Sequence, residues 1–281
     1  MKITSPKQLM QFLEEHGLFA KKASSQNFLI DGNIVQKILD EANISPEDLV
    51  LEIGPGPGAL TESLLERGCH VIAIEKDQEL ASLLGRFAKE GSRLEVFIED
   101  FLKFPLEKVI LERLKPGQKA KVVANLPYHI TTPILEKLLP LESLFSDLVL
   151  MVQKEVAHRF TAEVGSKDYS SFTLFLQFFS KARYCFTVEP SCFLPKPNVQ
   201  SAVVHLKLQQ APKLLDQERF FQLTRTAFQQ RRKMMRASLK SLYPAQTIEQ
   251  ALEALGKNPL SRPEELSLED FIKLYQILFA L

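Results

Sequence analysis

Cysteine is scarce in this chain of 281 residues. Its three copies, Cys69, Cys185 and Cys192, form no Cys-x-x-Cys pair, which excludes a disulfide scaffold and a cysteine-rich zinc module. Neither sign of charge is in surplus: 35 Lys and Arg stand against 34 Asp and Glu, a net charge of +1. Attraction to a polyanion must then come from a local patch and not from the chain as a whole. No apolar run approaches the roughly 18 residues of a membrane span, and Glu14, Glu15 and His16 interrupt any apolar segment of an N-terminal export signal. A soluble, cytoplasmic protein is expected. His-Glu-x-x-His, Gly-x-Ser-x-Gly, P-loop and metal-ligand clusters are missing, so no metal is expected, and the chemistries those motifs serve drop out. Internal repeats and low-complexity tracts are missing too. What remains is an ordinary globular composition, 45% hydrophobic and 25% charged, at a length that suits two domains.

The dominant pattern is an alternation of short β-branched runs with amphipathic stretches. Val50–Ile53, His70–Ile74, Leu94–Ile98, Lys121–Ala124 and Leu148–Val152 read as strands. With helix-like sequence between them, they predict βαβ units around a buried parallel sheet. Phe172–Phe179 and Ala202–Leu208 read as further strands, the second with one wet face because His205 and Lys207 alternate with Val204, Leu206 and Leu208. After Gln209-Gln210-Ala211-Pro212 only helix-period sequence follows, punctuated by Pro244, Gly256, Pro259 and Pro263. The expected organisation is an α/β domain over 1–209 and a small all-helical domain over 210–281.

The chemistry starts at Leu51-Glu52-Ile53-Gly54-Pro55-Gly56-Pro57-Gly58, where an apolar strand runs into three glycines at alternate positions and then a helix. Such glycines let the backbone turn sharply and approach a ligand closely. Glu75 closes the next strand, which places a carboxylate at the carboxyl edge of the sheet, suited to two ribose hydroxyls. The spacing is Gly-x-Gly-x-Gly with two prolines and not the dinucleotide Gly-x-Gly-x-x-Gly. A ligand lacking a pyrophosphate fits better, and S-adenosylmethionine is the candidate cofactor. Asp100, at the end of the third strand, can accept the exocyclic amine of that cofactor's adenine.

The fourth strand ends in Asn125-Leu126-Pro127-Tyr128. The amine of adenine is a weak nucleophile because its lone pair is delocalised into the ring. An Asn side-chain oxygen and a backbone carbonyl, both accepting from the amine hydrogens, draw the nitrogen toward tetrahedral geometry. Pro127 fixes its own φ and restricts Leu126, and Tyr128 offers a flat face for a base.

These motifs resemble the small-subunit ribosomal RNA adenine dimethyltransferases over nearly the whole chain. Gln26-Asn27-Phe28-Leu29 looks like that family's N-terminal cofactor motif. The Gly54 loop, Glu75, Asp100 and Asn125–Tyr128 follow in order, then Val152–Ala157 and the late motif from Pro190 to Ser201. The resemblance implies a seven-stranded Rossmann-like methyltransferase sheet with an all-helical C-terminal domain. It implies S-adenosylmethionine contacts at Asn27, Leu29, Gly54, Gly56, Glu75, Asp100 and Asn125, and a place for Phe193 beside the target base. The implied reaction puts two methyls on N6 of each of two adjacent adenosines near the 3′ end of 16S rRNA in a pre-small-subunit particle. It implies a monomer with no obligate protein partner.

Phe193 also stands in a proline-stiffened loop, Pro190 to Pro197, suited to holding one ring in place. Basic residues concentrate in Arg225–Lys240, which holds Arg225, Arg231, Arg232, Lys233, Arg236 and Lys240 and no acid. On a single helix, five of them share an arc of about 100°, a candidate phosphate-binding face. Two other functions fit parts of the sequence. One is a large-subunit adenosine methyltransferase conferring antibiotic resistance, which shares the Asn-x-Pro-Tyr core. The other is a non-catalytic RNA-binding or transcription factor on the same fold, which would have no need of Asn125 or the cofactor acids.

Overall fold

The computed structural model describes residues 6–16, 27–88, 91–230 and 232–279. Gln26 and Arg231 lie outside them. The chain divides into two compact units, Met1–Ala157 with Lys181–Gln209, and His158–Ser180 with Gln210–Leu281.

In chain order the elements begin with α1 (Pro6–Glu15), β1 (Phe28–Leu29), α2 (Gly32–Glu41), β2 (Leu49–Ile53), α3 (Ala59–Glu66) and β3 (His70–Glu75). Next come α4 (Gln78–Leu83), β4 (Leu94–Ile98), α5 (Leu106–Leu111), β5 (Ala120–Asn125), α6 (Thr131–Leu138), β6 (Phe145–Gln153) and α7 (Lys154–Phe160). Then follow α8 (Ser171–Phe179), β7 (Ser180–Val188), β8 (Phe193–Leu194) and β9 (Ser201–Leu208). The chain ends in α9 (Gln217–Phe228), α10 (Met235–Ser238), α11 (Ala245–Ala254) and α12 (Leu268–Phe279).

Seven strands form one mixed sheet in the order β4–β3–β2–β5–β6–β9–β7. From β4 to β6 all neighbours are parallel, and β9 runs antiparallel to β6. β2 is buried throughout and β3 nearly so, as expected of parallel strands covered on both faces. The chain builds β2, β3 and β4 outward in one direction, then returns to place β5 on the other side of β2. That reversal opens a crevice at the carboxyl ends of β2 and β5, where ligands of such sheets bind.

Three sequence expectations give way here. Phe172–Phe179 is helical and not a strand: Ser170 caps the amide of Thr173, whose hydroxyl in turn accepts from the Ser170 amide, a capping box that starts α8. The strand lies just beyond it, at β7. The first domain is also not continuous to 209, because His158–Ser180 packs with the C-terminal helices. Phe175 and Phe178 meet Phe221 of α9 edge-on, and the Tyr169 hydroxyl donates to the Leu266 carbonyl at 3.0 Å. Finally, Arg225–Lys240 is not one helix. α9 ends at Phe228 and the short α10 starts at Met235, so no common arc collects its basic residues.

Candidate active site

The carboxyl ends of β2, β3 and β5, with the loop after β4, enclose a cavity of about 650 Å³ in the first unit. Asn27, Leu29, Gly54, Gly56 and Glu75 line it. Asp100, Asn125, Leu126, Pro127 and Tyr128 line it as well, so residues spread over about a hundred positions converge on one space.

The glycine loop is shaped by backbone geometry that side chains resist. Gly56 has φ +55° and lies so close to the Phe28 ring that a Cβ would sit at 3.1 Å from it. Gly58 has φ +89° and opens α3, where a Cβ would come within 2.8 Å of Leu84 and Phe87. Both positions require the left-handed region that glycine adopts without a steric penalty. Arg86 backs the loop by donating to the Pro57 carbonyl while its guanidinium lies over the rings of Phe12 and Phe87.

Glu75, 8% exposed, joins the loop to the next turn. Its Oε2 accepts the Gly56 N–H at 3.2 Å and its Oε1 the Asp77 N–H at 2.9 Å. Burial pushes its pKa up, and these two amide bonds oppose the rise. Asp100 differs, because its Oδ2 pairs with the exposed Lys76 at 2.9 Å and its Oδ1 accepts the Leu102 N–H at 3.0 Å. The Lys76 bond holds that carboxyl below the usual range.

A carboxylate not foreseen from sequence also stands in the wall. Glu52, in the middle of an apolar strand, is 1% exposed and accepts the Thr61 hydroxyl at 2.6 Å through Oε2. Burial, helped by the nearby charge of Glu75, lifts its pKa to about 8. Its Oε1 has no hydrogen-bond partner among the described residues. An orphaned buried carboxyl oxygen beside a glycine loop is what a ligand with a complementary polar group would satisfy, and so the wall suits S-adenosylmethionine.

The tetrapeptide at the end of β5 is equally specific. Asn125 Nδ2 donates to the Asn27 carbonyl at 3.0 Å, which commits the amide nitrogen and leaves the side-chain oxygen as the free end. The Pro127 carbonyl accepts from the Ile130 N–H at 3.2 Å and the Thr131 hydroxyl at 3.3 Å. The same hydroxyl also reaches the Tyr128 carbonyl at 3.4 Å, and Leu126 lines the cavity. Leu126 itself is buried, its N–H donating to the Met151 carbonyl at 3.1 Å. The Tyr128 hydroxyl is bonded to Ser201 Oγ at 2.7 Å, which anchors the ring by its far end.

Phe193 is corrected by the structure. It is 2% exposed, pairs with Leu29 across the β1–β8 ribbon, and belongs to a core cluster with Leu29, Val188 and Val203. It is not part of the cavity wall. The Pro190–Pro197 loop therefore holds this ring in the core and not against the cavity.

In the second unit Arg225 is exposed on α9, and Arg232 and Lys233 are exposed in the turn that follows it. Arg236 is committed elsewhere, its guanidinium meeting Glu249 at 2.5 Å. No helix among the described residues is long and apolar enough to cross a membrane, and no group of three His, Cys, Asp or Glu there could hold a metal ion.

A switched parallel sheet that gathers a glycine loop tied to buried Glu75 and an Asn-x-Pro-Tyr turn into one cavity is the framework of an S-adenosylmethionine-dependent methyltransferase. The profile of the "Ribosomal RNA adenine dimethylase" family matches residues 18–279, and the chain belongs to that family. It is 56% identical over 280 residues to "Ribosomal RNA small subunit methyltransferase A" of Protochlamydia amoebophila, covering 100% of this chain and 99% of that one. A protein of the same description from Chlamydia trachomatis serovar L2 is 48% identical over 278 residues, 98% of each chain. Among solved structures, a dimethyladenosine transferase from Plasmodium falciparum superposes with a TM-score of 0.75 at 31% identity, covering 89% of this chain and 96% of that one. The 23S rRNA methyltransferase ErmE does so at 0.68 and 28%, covering 90% and 100%.

Proposed function

We propose that this enzyme methylates N6 of adenosine in small-subunit ribosomal RNA, with two methyls on each of two adjacent adenosines near the 3′ end of 16S rRNA in a pre-small-subunit particle. The observation that carries the reading is the Asn125–Tyr128 turn at the wall of the cavity that also holds the glycine loop, with Asn125 Nδ2 turned to the Asn27 carbonyl. S-adenosylmethionine supplies a methyl carbon made electrophilic by its sulfonium. Glu75 would hold its ribose, Asp100 its adenine amine, and Asn27, Leu29, Gly54 and Gly56 the surrounding wall.

On the acceptor side, Asn125 Oδ1 and the Leu126 carbonyl accept the two hydrogens of the target amine. Both bonds strengthen as the nitrogen becomes tetrahedral, so they act on the transition state more than on the bound base. Pro127 fixes the turn so that neither acceptor has to reorganise. Tyr128 stacks the base, which must leave its neighbours in the RNA to reach the site. The methylated amine loses its proton readily, so no strong base is required. Exposed Arg225, Arg232 and Lys233 contact phosphates. The enzyme works in the cytoplasm as a monomer with no obligate protein partner.

The 28% identity to a 23S rRNA methyltransferase supports a large-subunit target as the second reading. Full-length identity of 56% to a small-subunit methyltransferase favours the first. A non-catalytic factor would not retain the acceptor Asn, Glu75 and Asp100 in one cavity. The test has two parts. Mass spectrometry of 16S and 23S rRNA, from cells with and without the protein, should show dimethyladenosine lost from 16S alone. In vitro, Asn125→Ala should lower turnover by about 100-fold or more at saturating substrates while RNA affinity is retained. Parental turnover in that variant would overturn the mechanism.

A further inference from the structure

Lys137 lies at the C-terminal end of α6, the helix that follows the acceptor turn. Its ammonium donates to three carbonyls of another loop: Phe101 at 2.8 Å, Leu102 at 3.0 Å and Phe104 at 2.7 Å. A lysine has three donor hydrogens, and all three are used. The Phe101 ring lies under the same ammonium, 5.2 Å from ring centroid to nitrogen. Burial pulls the Lys137 pKa down, while the charges of Asp100 and Glu107 work against that fall.

The loop so gathered is the one after β4, and Asp100, Phe101 and Leu102 all line the cavity. At its other end α6 is tied to the acceptor turn, with the Thr131 hydroxyl donating to the Pro127 carbonyl. One short helix therefore holds the acceptor turn at its first residue and the Asp100 loop near its last. Surface lysines bridge acids with little consequence. A lysine whose three hydrogens meet three carbonyls of one loop instead ties that loop down at three points, in addition to the amides that Phe101 and Phe104 carbonyls accept within it.

We infer that Lys137 is a positioning residue for the methyl donor, pinning the loop that carries Asp100 and Leu102 to the helix that carries the acceptor turn. The inference rests on the reading of this cavity as the S-adenosylmethionine pocket with Asp100 on its adenine side.

Lys137→Met keeps the length and packing of the stem and removes the three donors. In the full-length protein, calorimetry with S-adenosylhomocysteine as probe should show Kd raised roughly tenfold, with KM for RNA unchanged. Lys137→Arg, which keeps charge and donors, should recover part of the loss. A structural role alone would lower the melting temperature and move both substrates' parameters by the same factor, and that result overturns the inference. So does a parental Kd in folded Lys137→Met. Should that variant not fold, Lys137→Gln takes its place with an intermediate Kd expected, and a parental Kd there has the same force. Asp100→Ala, which removes the acceptor, is measured alongside. If it binds S-adenosylhomocysteine like the parent, the pocket assignment falls and this inference with it; if it binds weakly while Lys137→Met does not, only the inference falls.

Discussion

Glu52 is the residue whose properties depend most on where the fold puts it. On the sequence it is one acid in an apolar strand; in the protein it is 1% exposed with a pKa near 8. Because the folded pKa is raised above the ordinary value of 4.5, the folded state keeps a proton that the unfolded chain releases. Its contribution to stability is fully present below about 4.5 and is lost as pH rises toward 8. Glu52→Gln keeps the shape and still accepts from Thr61, but has nothing to ionise. In cofactor-free protein, melting curves should show the variant gaining on the parent at pH 8 and gaining little at pH 5. Equal gains at the two pH values would mean that Glu52 ionises in the folded protein as freely as a surface carboxylate. Phe193 teaches the converse. Its prolines suggested exposure, yet pairing with Leu29 turns it into the core.

At the level of elements, the segment from Ser170 to Phe179 shows how a local signal can decide what hydrophobicity leaves open. An apolar run of eight residues fits a buried strand or a buried helix equally well. The deciding pair, Ser170 with Thr173, was already in the sequence as a capping box, and it satisfies amides that a strand would have paired with neighbours. Ser170→Ala should cost about 1 kcal/mol of stability in denaturant titrations. A variant as stable as the parent would show that packing of Phe175 and Phe178 on α9 suffices without the cap. The parallel strands were far more legible. Near-continuous burial demands apolar runs, and β2, β3, β5 and β6 fall where those runs stand, while β4 at the sheet edge is more exposed.

For the molecule as a whole, a net charge of +1 makes RNA affinity depend on where the basic residues lie. Arg232 and Lys233 are exposed, whereas Arg236 is engaged by Glu249 and has less to offer a phosphate. Each phosphate contact contributes a slope of about −0.7 for single strands when log affinity is plotted against log salt. The joint Arg232→Ala, Lys233→Ala variant should bind RNA less tightly, with a slope shallower by about one unit or slightly more. S-adenosylhomocysteine affinity should not change, because every residue of the cavity wall belongs to the first unit. A parental slope would leave these two side chains as a solvated face.

The sequence by itself determined the βαβ order, the glycine loop, Glu75, Asp100 and the Asn125–Tyr128 turn, because each depends on spacing within a few residues and on local backbone chemistry. It also determined the family, through the order of those motifs. Tertiary structure alone decided that His158–Ser180 joins the C-terminal helices, that Phe193 is core, that Arg236 is paired, and that Glu52 is buried without a partner for Oε1. It alone brought Lys137 to the carbonyls of Phe101, Leu102 and Phe104. The physical reason is common to all five. Burial, pairing and desolvation are properties of neighbours distant in sequence, and no local pattern records which of them will meet.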